Sequence, residues 1–125
     1  MKPTAVRATA TMFGTRSQII NEPKGVTLII SPWNYPFNLS FGPMIWSIAA
    51  GNTVILKPSE MTPAMSKVIS EIVSQSFDTN LVTVVQGDAP VARYLTQQPF
   101  DHIFFTGSPA VGKQVMAEAA QTSVQ

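Results

Sequence analysis

The sequence lacks cysteine altogether and has one histidine, His102, among its 125 residues. A chain without thiols can form neither a disulfide framework nor a thiolate nucleophile or metal ligand, and a single imidazole limits metal binding further. We therefore predict no metal site in these residues. Charged side chains are also scarce, at 12% of the chain, which is about half of the share usual in soluble domains.

Long apolar runs are missing as well, because no stretch approaches the roughly 20 residues that a membrane-spanning helix needs. Residues 1–14 lack the apolar segment of a secretory signal, so the expected compartment is the cytoplasm. The net charge is only +1, which gives no electrostatic footprint for nucleic acid or acidic membranes. The sequence thus predicts neither a nucleic-acid partner nor a membrane segment.

The chain has an apolar share of 45%, arranged from Gly25 onward as alternating β-rich runs and helical patterns. Four short runs are apolar at nearly every position, as strands buried on both faces are. They are Val26–Ile30, Thr53–Leu56, Leu81–Val85 and His102–Phe105. Four such β-α units predict an α/β fold with a parallel sheet of about four strands, right-handed crossovers and helices on both faces.

The segments between these runs carry helix signals. An apolar stripe at helical spacing predicts the first helix, which Gly51 should end in the left-handed conformation. Thr62-Pro63, Asp88 and Ser108-Pro109 have the side-chain acceptors and prolines that begin helices, and we expect them to open the next three. The residues of the first stripe are Phe37, Phe41, Met44, Ile45 and Ile48.

Open parallel sheets bind their ligands at the carboxyl ends of the strands. This rule directs attention to four loops of the predicted sheet. They are Ser31–Pro36, Lys57–Glu60, Gln86–Ala89 and Thr106–Gly112.

Residues 1–24 do not follow the β-α pattern and form a separate predicted segment, the N-terminal arm. Thr15–Asn21 is a candidate strand whose strongly apolar residues are Ile19 and Ile20. An exposed edge strand of this kind promotes pairing with a second chain. We therefore expect the arm to take part in homo-oligomer formation, and residues 25–125 to form the ligand-binding unit.

Gly107–Lys113 resembles most of a phosphate-binding P-loop, but Gln114 stands where serine or threonine would hold magnesium. The loop also follows the fourth predicted strand, so a nucleoside triphosphatase is the weakest alternative. Ser108 at a helix N-terminus still places free N–H groups toward an anion, and a plain helix cap explains Ser108 equally well. The Gly-x-Gly-x-x-Gly pattern does not occur, so an ordinary Rossmann site is unsupported.

Other polar residues fall at the predicted ligand edge. Lys57 and Glu60 can grip vicinal ribose hydroxyls, with the ammonium donating and the carboxylate accepting, but an exposed ion pair of little energetic value explains them as well. Asn34 has an amide that can donate to a developing oxyanion, although asparagines in turns more often bond the local backbone. We interpret the remaining aromatic and imidazole side chains as packing or structural residues: Trp33, Tyr35, Trp46 and His102.

Four motifs follow one another along the chain, and their order and spacing are more specific than any one of them. The motifs are Pro32–Asn38, Ala49–Asn52, Lys57–Glu60 and Phe100–Ser108. In this order they resemble the aldehyde dehydrogenases, most closely the branch with fatty-aldehyde and coniferyl-aldehyde dehydrogenases, over about residues 17–120. The resemblance implies a partial Rossmann-like dinucleotide-binding domain that lacks the usual glycine fingerprint.

The resemblance also implies a cofactor site. Lys57 and Glu60 would contact the adenosine ribose, Ser108 and its helix N-terminus the pyrophosphate, and Val111 the adenine. Glu60 would repel a 2′-phosphate and so favour NAD, although NADP is also used in this branch. The residues implied to line or bind the cofactor are Ser31, Pro32, Trp33, Lys57, Glu60, Gly107, Ser108 and Val111.

In this family a cysteine thiolate attacks the aldehyde and the asparagine that matches Asn34 holds the resulting oxyanion. Hydride then passes to the nicotinamide, and a glutamate-activated water releases the acid. Asn34 is the only one of these catalytic groups present. The resemblance therefore implies an NAD(P)-dependent aldehyde dehydrogenase, and we expect a truncated chain without its catalytic domain that is inactive alone. The alternative is a non-catalytic nucleotide-binding or self-association module.

Overall fold

The computed structural model of the chain describes residues 2–12 and 14–122. The N-terminal arm contains two short antiparallel strands, β1 (Thr4–Val6) and β2 (Ser17–Ile19), which pair with each other. A short 3-10 helix, Ala10–Met12, lies between them. The strand predicted within Thr15–Asn21 is therefore present but shorter. Its partner β1 was not predicted, because three exposed residues carry no readable alternation.

The rest of the chain is the α/β unit predicted from the sequence. Its four strands are all parallel and lie in the order β5-β4-β3-β6. The predicted fold class is confirmed. The elements in chain order are β3 (Val26–Ile30), α1 (Pro36–Ala49), β4 (Thr53–Lys57), α2 (Pro63–Ser76), β5 (Val82–Val84), α3 (Ala89–Thr96), β6 (His102–Phe105) and α4 (Pro109–Ala119).

The sheet separates two hydrophobic clusters, because successive strand residues point to opposite faces. Ile29 packs with Met44 and Ile69 under α1 and α2. Its neighbours Leu28 and Ile30 face the other way, toward Leu95 of α3 and toward Phe100. Helices therefore cover both faces, as the apolar character of the strands required.

The buried face of α1 differs from the predicted stripe. Met44 is fully buried, but Phe37 and Ile45 of the same stripe are 45% and 55% exposed. The helix is apolar on nearly all sides (Pro36–Ala49 contains no charged residue), and a pattern without a polar face does not show which side meets the sheet.

Helix starts and stops fall where the sequence places them, but two caps differ in detail. Gly51 ends α1 with φ +89°, as predicted. Thr62 and Asp88 precede α2 and α3, yet neither side chain accepts a cap hydrogen bond. Pro90, the second residue of α3, removes one N–H that Asp88 would accept. Within residues 2–12 and 14–122, no helix is both long and apolar enough to cross a membrane.

Candidate functional site at the carboxyl edge of the sheet

The strand order places a topological switch point between β3 and β6. From β3 the chain moves outward through β4 to β5, and α3 then returns it to the far side of β3. The loops after β3 and β6 consequently diverge toward opposite faces of the sheet. Such a switch point is where open α/β sheets bind ligands. The two loops that border it, residues 31–35 and 106–108, contain two of the predicted motifs.

The strands end level with one another at this edge. Ile30 is in register with Lys57 of β4 and with Phe105 of β6. Beyond that point the Ser31 N–H donates to the Lys57 carbonyl, and the Thr106 N–H donates to the Ile30 carbonyl, both at 3.1 Å. The polar loops therefore begin at one height, about 4.8 Å apart across the sheet.

Lys57 and Glu60 form an ion pair in which the lysine is buried and the glutamate is partly exposed. Lys57 Nζ lies 2.8 Å from Glu60 Oε2, with the lysine side chain 3% and the glutamate side chain 43% exposed. The hydrogen bond from Lys57 lowers the pKa of Glu60, so Glu60 is a carboxylate at neutral pH. The alternative of a fully exposed pair is wrong for Lys57, which is the buried last residue of β4.

A cleft of about 410 Å³ lies beside this pair, between the loops that follow β4 and β5. Its size is within the range of small-molecule sites. The Glu60 carboxylate lines it, opposite a loop whose residues were not among the predicted site residues. The lining residues are Pro58, Ser59, Glu60, Pro63, Ser66, Gln86, Gly87 and Asp88.

Gly87 explains how that loop reaches the cleft. Its φ is +153°, and a Cβ at this position would lie only 2.6 Å from Cγ2 of Val91. A side chain would therefore push the first turn of α3 away. The position of Gln86–Ala89 at the carboxyl edge was the available signal, but glutamine, glycine and aspartate there form no recognisable motif.

Ser108 begins α4 as predicted. Its backbone is extended (φ −70°, ψ 149°), and its hydroxyl accepts a long hydrogen bond of 3.4 Å from the Val111 N–H. Pro109 has no N–H, so Ala110 and Val111 supply the donors of the first turn. Val111 itself is 45% exposed. The arrangement provides a hydroxyl and backbone donors at the positive end of a helix.

Gly107 places this helix start against an aromatic ring. A Cβ on Gly107 would collide with Cζ of Phe105, and one on Gly112 would meet the same ring at 3.5 Å. The Phe105 side chain thus lies directly beneath the loop that leads into α4. Glycine is required at 107 for this close approach.

Asn34 is exposed in the loop after β3, and its side chain makes no hydrogen bond to any of the described residues. The local backbone role common for asparagine in turns is therefore not adopted. Tyr35 follows in the left-handed region, at φ 51° and ψ 47°. Trp33, Tyr35 and Trp46 are 56%, 75% and 76% exposed, so their prediction as packing residues is wrong for this chain.

The two remaining predictions concern metal ligands and His102. In the part of the chain that the structure describes, no group of three or more His, Asp or Glu is arranged to hold a metal ion. His102 is half-buried as the first residue of β6, at the amino end of the strand. It lies away from the carboxyl edge where the other candidate residues meet.

Comparisons with known proteins identify the family. The model of the aldehyde dehydrogenase family matches residues 3–125. The 4,4′-diaponeurosporen-aldehyde dehydrogenase of Staphylococcus aureus is 48% identical over 90% of this chain. The coniferyl aldehyde dehydrogenase of a Pseudomonas species is 45% identical over 89%, which confirms the predicted branch. The dimeric NADP-preferring aldehyde dehydrogenase of Rattus norvegicus is 52% identical over 82%.

The solved structures agree. A substrate-bound Staphylococcus aureus AldH has a TM-score of 0.96 and 46% identity, covering 98% of this chain and 27% of that one. A Mycobacterium tuberculosis aldehyde dehydrogenase complexed with NAD+ has a TM-score of 0.85 and 30% identity, covering 98% and 25%. The chain spans 23–25% of the length of the three relatives named above. It belongs to the aldehyde dehydrogenase family.

Proposed function

We propose that this chain forms part of the dinucleotide site of an NAD(P)-dependent enzyme that oxidises an aldehyde to a carboxylic acid. The observation that carries the proposal is the Lys57–Glu60 pair, with a buried ammonium and a half-exposed carboxylate lining a cleft. It stands at the carboxyl edge where α/β sheets bind nucleotides. Residues 25–125 would be the partial cofactor-binding domain, and residues 1–24 a separate arm.

The residues at this edge fit an adenosine diphosphate moiety. The Glu60 carboxylate has the acceptors that vicinal ribose hydroxyls require, and Lys57 holds it in place. Ser108 and the first N–H groups of α4 suit the pyrophosphate, while the exposed Val111 offers an apolar surface to the adenine. Ser31, Pro32 and Trp33 would line the dinucleotide site at the end of β3, and Gly107 would let α4 approach.

Asn34 is the proposed oxyanion donor, because its amide donors are uncommitted and lie at the switch point beside the cofactor residues. Bound NAD would supply the hydride acceptor of the reaction. The thiolate nucleophile of the family is absent from these 125 residues, which contain no cysteine. We therefore expect the chain by itself to bind dinucleotide without oxidising aldehydes.

We propose NAD as the preferred cofactor. Glu60 is ionised at neutral pH, and a 2′-phosphate next to it would bring like charges together. The neighbour from Mycobacterium tuberculosis is described with NAD+, while the rat relative is named NADP-preferring. The dissociation constants of NAD and of NADP should be measured for this chain and for Glu60→Gln. We expect the wild-type chain to bind NAD more tightly than NADP, and the difference between the two constants to be smaller in the variant, which lacks the negative charge.

Calorimetry with NAD tests the proposed site. We expect Glu60→Gln and Ser108→Ala each to weaken binding by about tenfold or more, the effect of losing one charge-assisted or well-placed hydrogen bond. Glu71→Gln is the matched control, because it makes the same charge change on the exposed surface of α2. Equal affinities for the wild type and both site variants would overturn the assignment of Glu60 and Ser108.

Self-association is a second proposed role, for which the arm gives a specific reason. Val6, Ile19 and Ile20 are 43%, 55% and 55% exposed and lie on or beside the two-stranded sheet of the arm. Within the described residues no other strand pairs with the outer edges of this sheet, so a second chain could pair there. Light scattering should show a dimer or larger species that Ile19→Asp shifts toward monomer. A monomer at all concentrations would count against this role.

We also propose a cytoplasmic location for the protein, which cell fractionation would test.

A further inference from the structure

Strand β3 and helix α1 are connected by two pairs of hydroxyl groups. Thr27 and Ser47 meet at 2.8 Å near the start of the strand, and Ser31 and Ser40 meet at 2.7 Å just beyond its end. Met44 lies between the two pairs on the helix and is fully buried. The helix thus faces β3 with the sequence serine, methionine, serine at positions 40, 44 and 47, one stripe of its surface.

The Ser31–Ser40 pair differs from the other in burial and in what it encloses. Ser31 is 3% exposed and Ser40 is 0% exposed, so each hydroxyl depends on the other for a hydrogen bond away from water. Only residues 32–35 and the first turn of α1 separate the two serines. The bond therefore closes the base of the loop that contains Asn34.

The same loop holds an unfavourable backbone conformation. Tyr35 is the one non-glycine residue with positive φ among residues 2–12 and 14–122, and a bulky side chain rarely adopts this region. Such a conformation persists only where the surroundings fix it. The Tyr35 carbonyl accepts from the Leu39 N–H at 3.0 Å, so α1 fixes one side of the residue. The serine pair joins α1 to the residue that directly follows β3.

The geometry points to Ser40 as a positioning residue for Asn34, acting through its buried hydroxyl bond to Ser31, which holds the strained 32–35 loop in one conformation. This inference rests on the proposed role of Asn34 as oxyanion donor. It assigns no contact with substrate or cofactor to Ser40. Because the hydroxyl pair holds the 32–35 loop in one conformation before substrate binds, the loop would lose little conformational entropy during the reaction.

Backbone dynamics of the loop give a direct test on the chain as it exists. We would measure ¹⁵N relaxation at the amides of Trp33, Asn34 and Tyr35 and at the Asn34 side chain, without cofactor. A rigid backbone has an order parameter of about 0.85, and a flexible one lies below about 0.6. Ser40→Ala should lower the loop values toward the second figure. The readout does not use NAD, so failure of dinucleotide binding leaves it intact.

Ser47→Ala is the matched control. It removes the other hydroxyl pair between the same strand and the same helix, where no strained loop follows. A merely structural role for Ser40 predicts that Ser40→Ala and Ser47→Ala both reduce the denaturant midpoint and both leave the loop rigid. A positioning role predicts that only Ser40→Ala changes the order parameters.

The double variant Ser31→Ala/Ser40→Ala covers the case in which Ser40→Ala does not fold. It leaves no orphan hydroxyl in the buried site, so its stability should exceed that of the single variant, while the loop should stay flexible because the bond is gone. Order parameters near the wild-type value in the folded single variant or in the double variant would overturn the inference.

Discussion

The two faces of the sheet differ in how tightly they are packed. On the face covered by α1 and α2, the buried cluster has seven side chains, each at most 2% exposed. On the face covered by α3 and α4, the buried cluster has four side chains, and three of these are 7% exposed. Helix α4 contributes no buried residue to either. The helix that presents Ser108 is therefore the least anchored of the four. In relatives about four times as long there is further chain to cover such a helix.

Two sets of contacts anchor α4, which has no buried residues of its own. The Phe105 ring fills the space beneath Gly107 and Gly112 at its start. Near its other end, Glu118 accepts a 2.9 Å hydrogen bond from Arg93 Nε and also bonds the Thr96 hydroxyl of α3. The more tightly packed side of the domain therefore carries the Asn34 loop, while the proposed anion site depends on a few polar and aromatic contacts.

A pair of methionines tests the difference between the faces most strongly. Met44 on α1 is fully buried and Met116 on α4 is 73% exposed. Met44→Ala should lower the free energy of unfolding by about 2–5 kcal/mol, through lost burial and the cavity left behind. Met116→Ala should change it by no more than about 0.5 kcal/mol. Urea denaturation measures both, and similar losses would show that α4 is anchored as firmly as α1.

Gly107→Ala tests the aromatic support of α4. The added methyl overlaps the Phe105 ring, so the loop or the ring must shift at a cost of about 1–3 kcal/mol in the free energy of unfolding. Phe105→Leu in the same chain should recover part of this loss by making room. If the double variant is no more stable than Gly107→Ala, the ring is not what restricts position 107.

Glu118→Gln tests the polar clamp between α3 and α4. The amide keeps an acceptor but loses the charge, so we expect a loss of about 0.5–1.5 kcal/mol, the range for one hydrogen bond. The Glu118 side chain is 16% exposed, so water can replace little of the lost interaction. Glu71→Gln, at a looser exposed pair of 3.9 Å, should be nearly silent. Equal effects in denaturant titrations would remove the clamp from the account of α4.

The smallest effect concerns the pH dependence of the Lys57–Glu60 pair. Lys57 lowers the folded pKa of Glu60 below its ordinary value of 4.5, so the stabilisation is present above that value and is lost as the pH falls through the folded pKa. Because Glu60 is 43% exposed, screening keeps the contribution below about 1 kcal/mol. A carboxyl ¹³C titration should show the low midpoint, and Lys57→Met should raise it; an unchanged midpoint would contradict the pairing.

The strands were predictable because buried parallel strands are apolar at almost every position. His102–Phe105 was predicted to the residue, while β4 runs one residue further and β5 is shorter. The buried face of α1 was not predictable, since an all-apolar helix has no polar side to exclude. Side-chain capping failed at Asp88 because Pro90 removes a donor.

The candidate site was predictable only where side-chain chemistry is distinctive. Lys57, Glu60 and Ser108 stand at the expected edge, but the burial of Lys57 depends on tertiary packing that its sequence neighbours do not reveal. Gln86, Gly87 and Asp88 lack a chemical signature. The positive φ of Tyr35 contradicts the usual preference of an aromatic residue, so nothing in the sequence indicates it. That kind of disagreement between local preference and fold is expected at functional positions.

The strand order has a consequence for how the protein is made. Strands β3, β4 and β5 are adjacent both in the chain and in the sheet, so they can assemble as they leave the ribosome. Strand β6 joins the opposite edge of β3 last. Until then Leu28 and Ile30 have no complete cover on the α3 side, and that open edge is a place where a nascent chain can pair with the wrong partner. We expect ribosome-bound chains that stop before His102 to bind chaperones, and chains extended past α4 to release them.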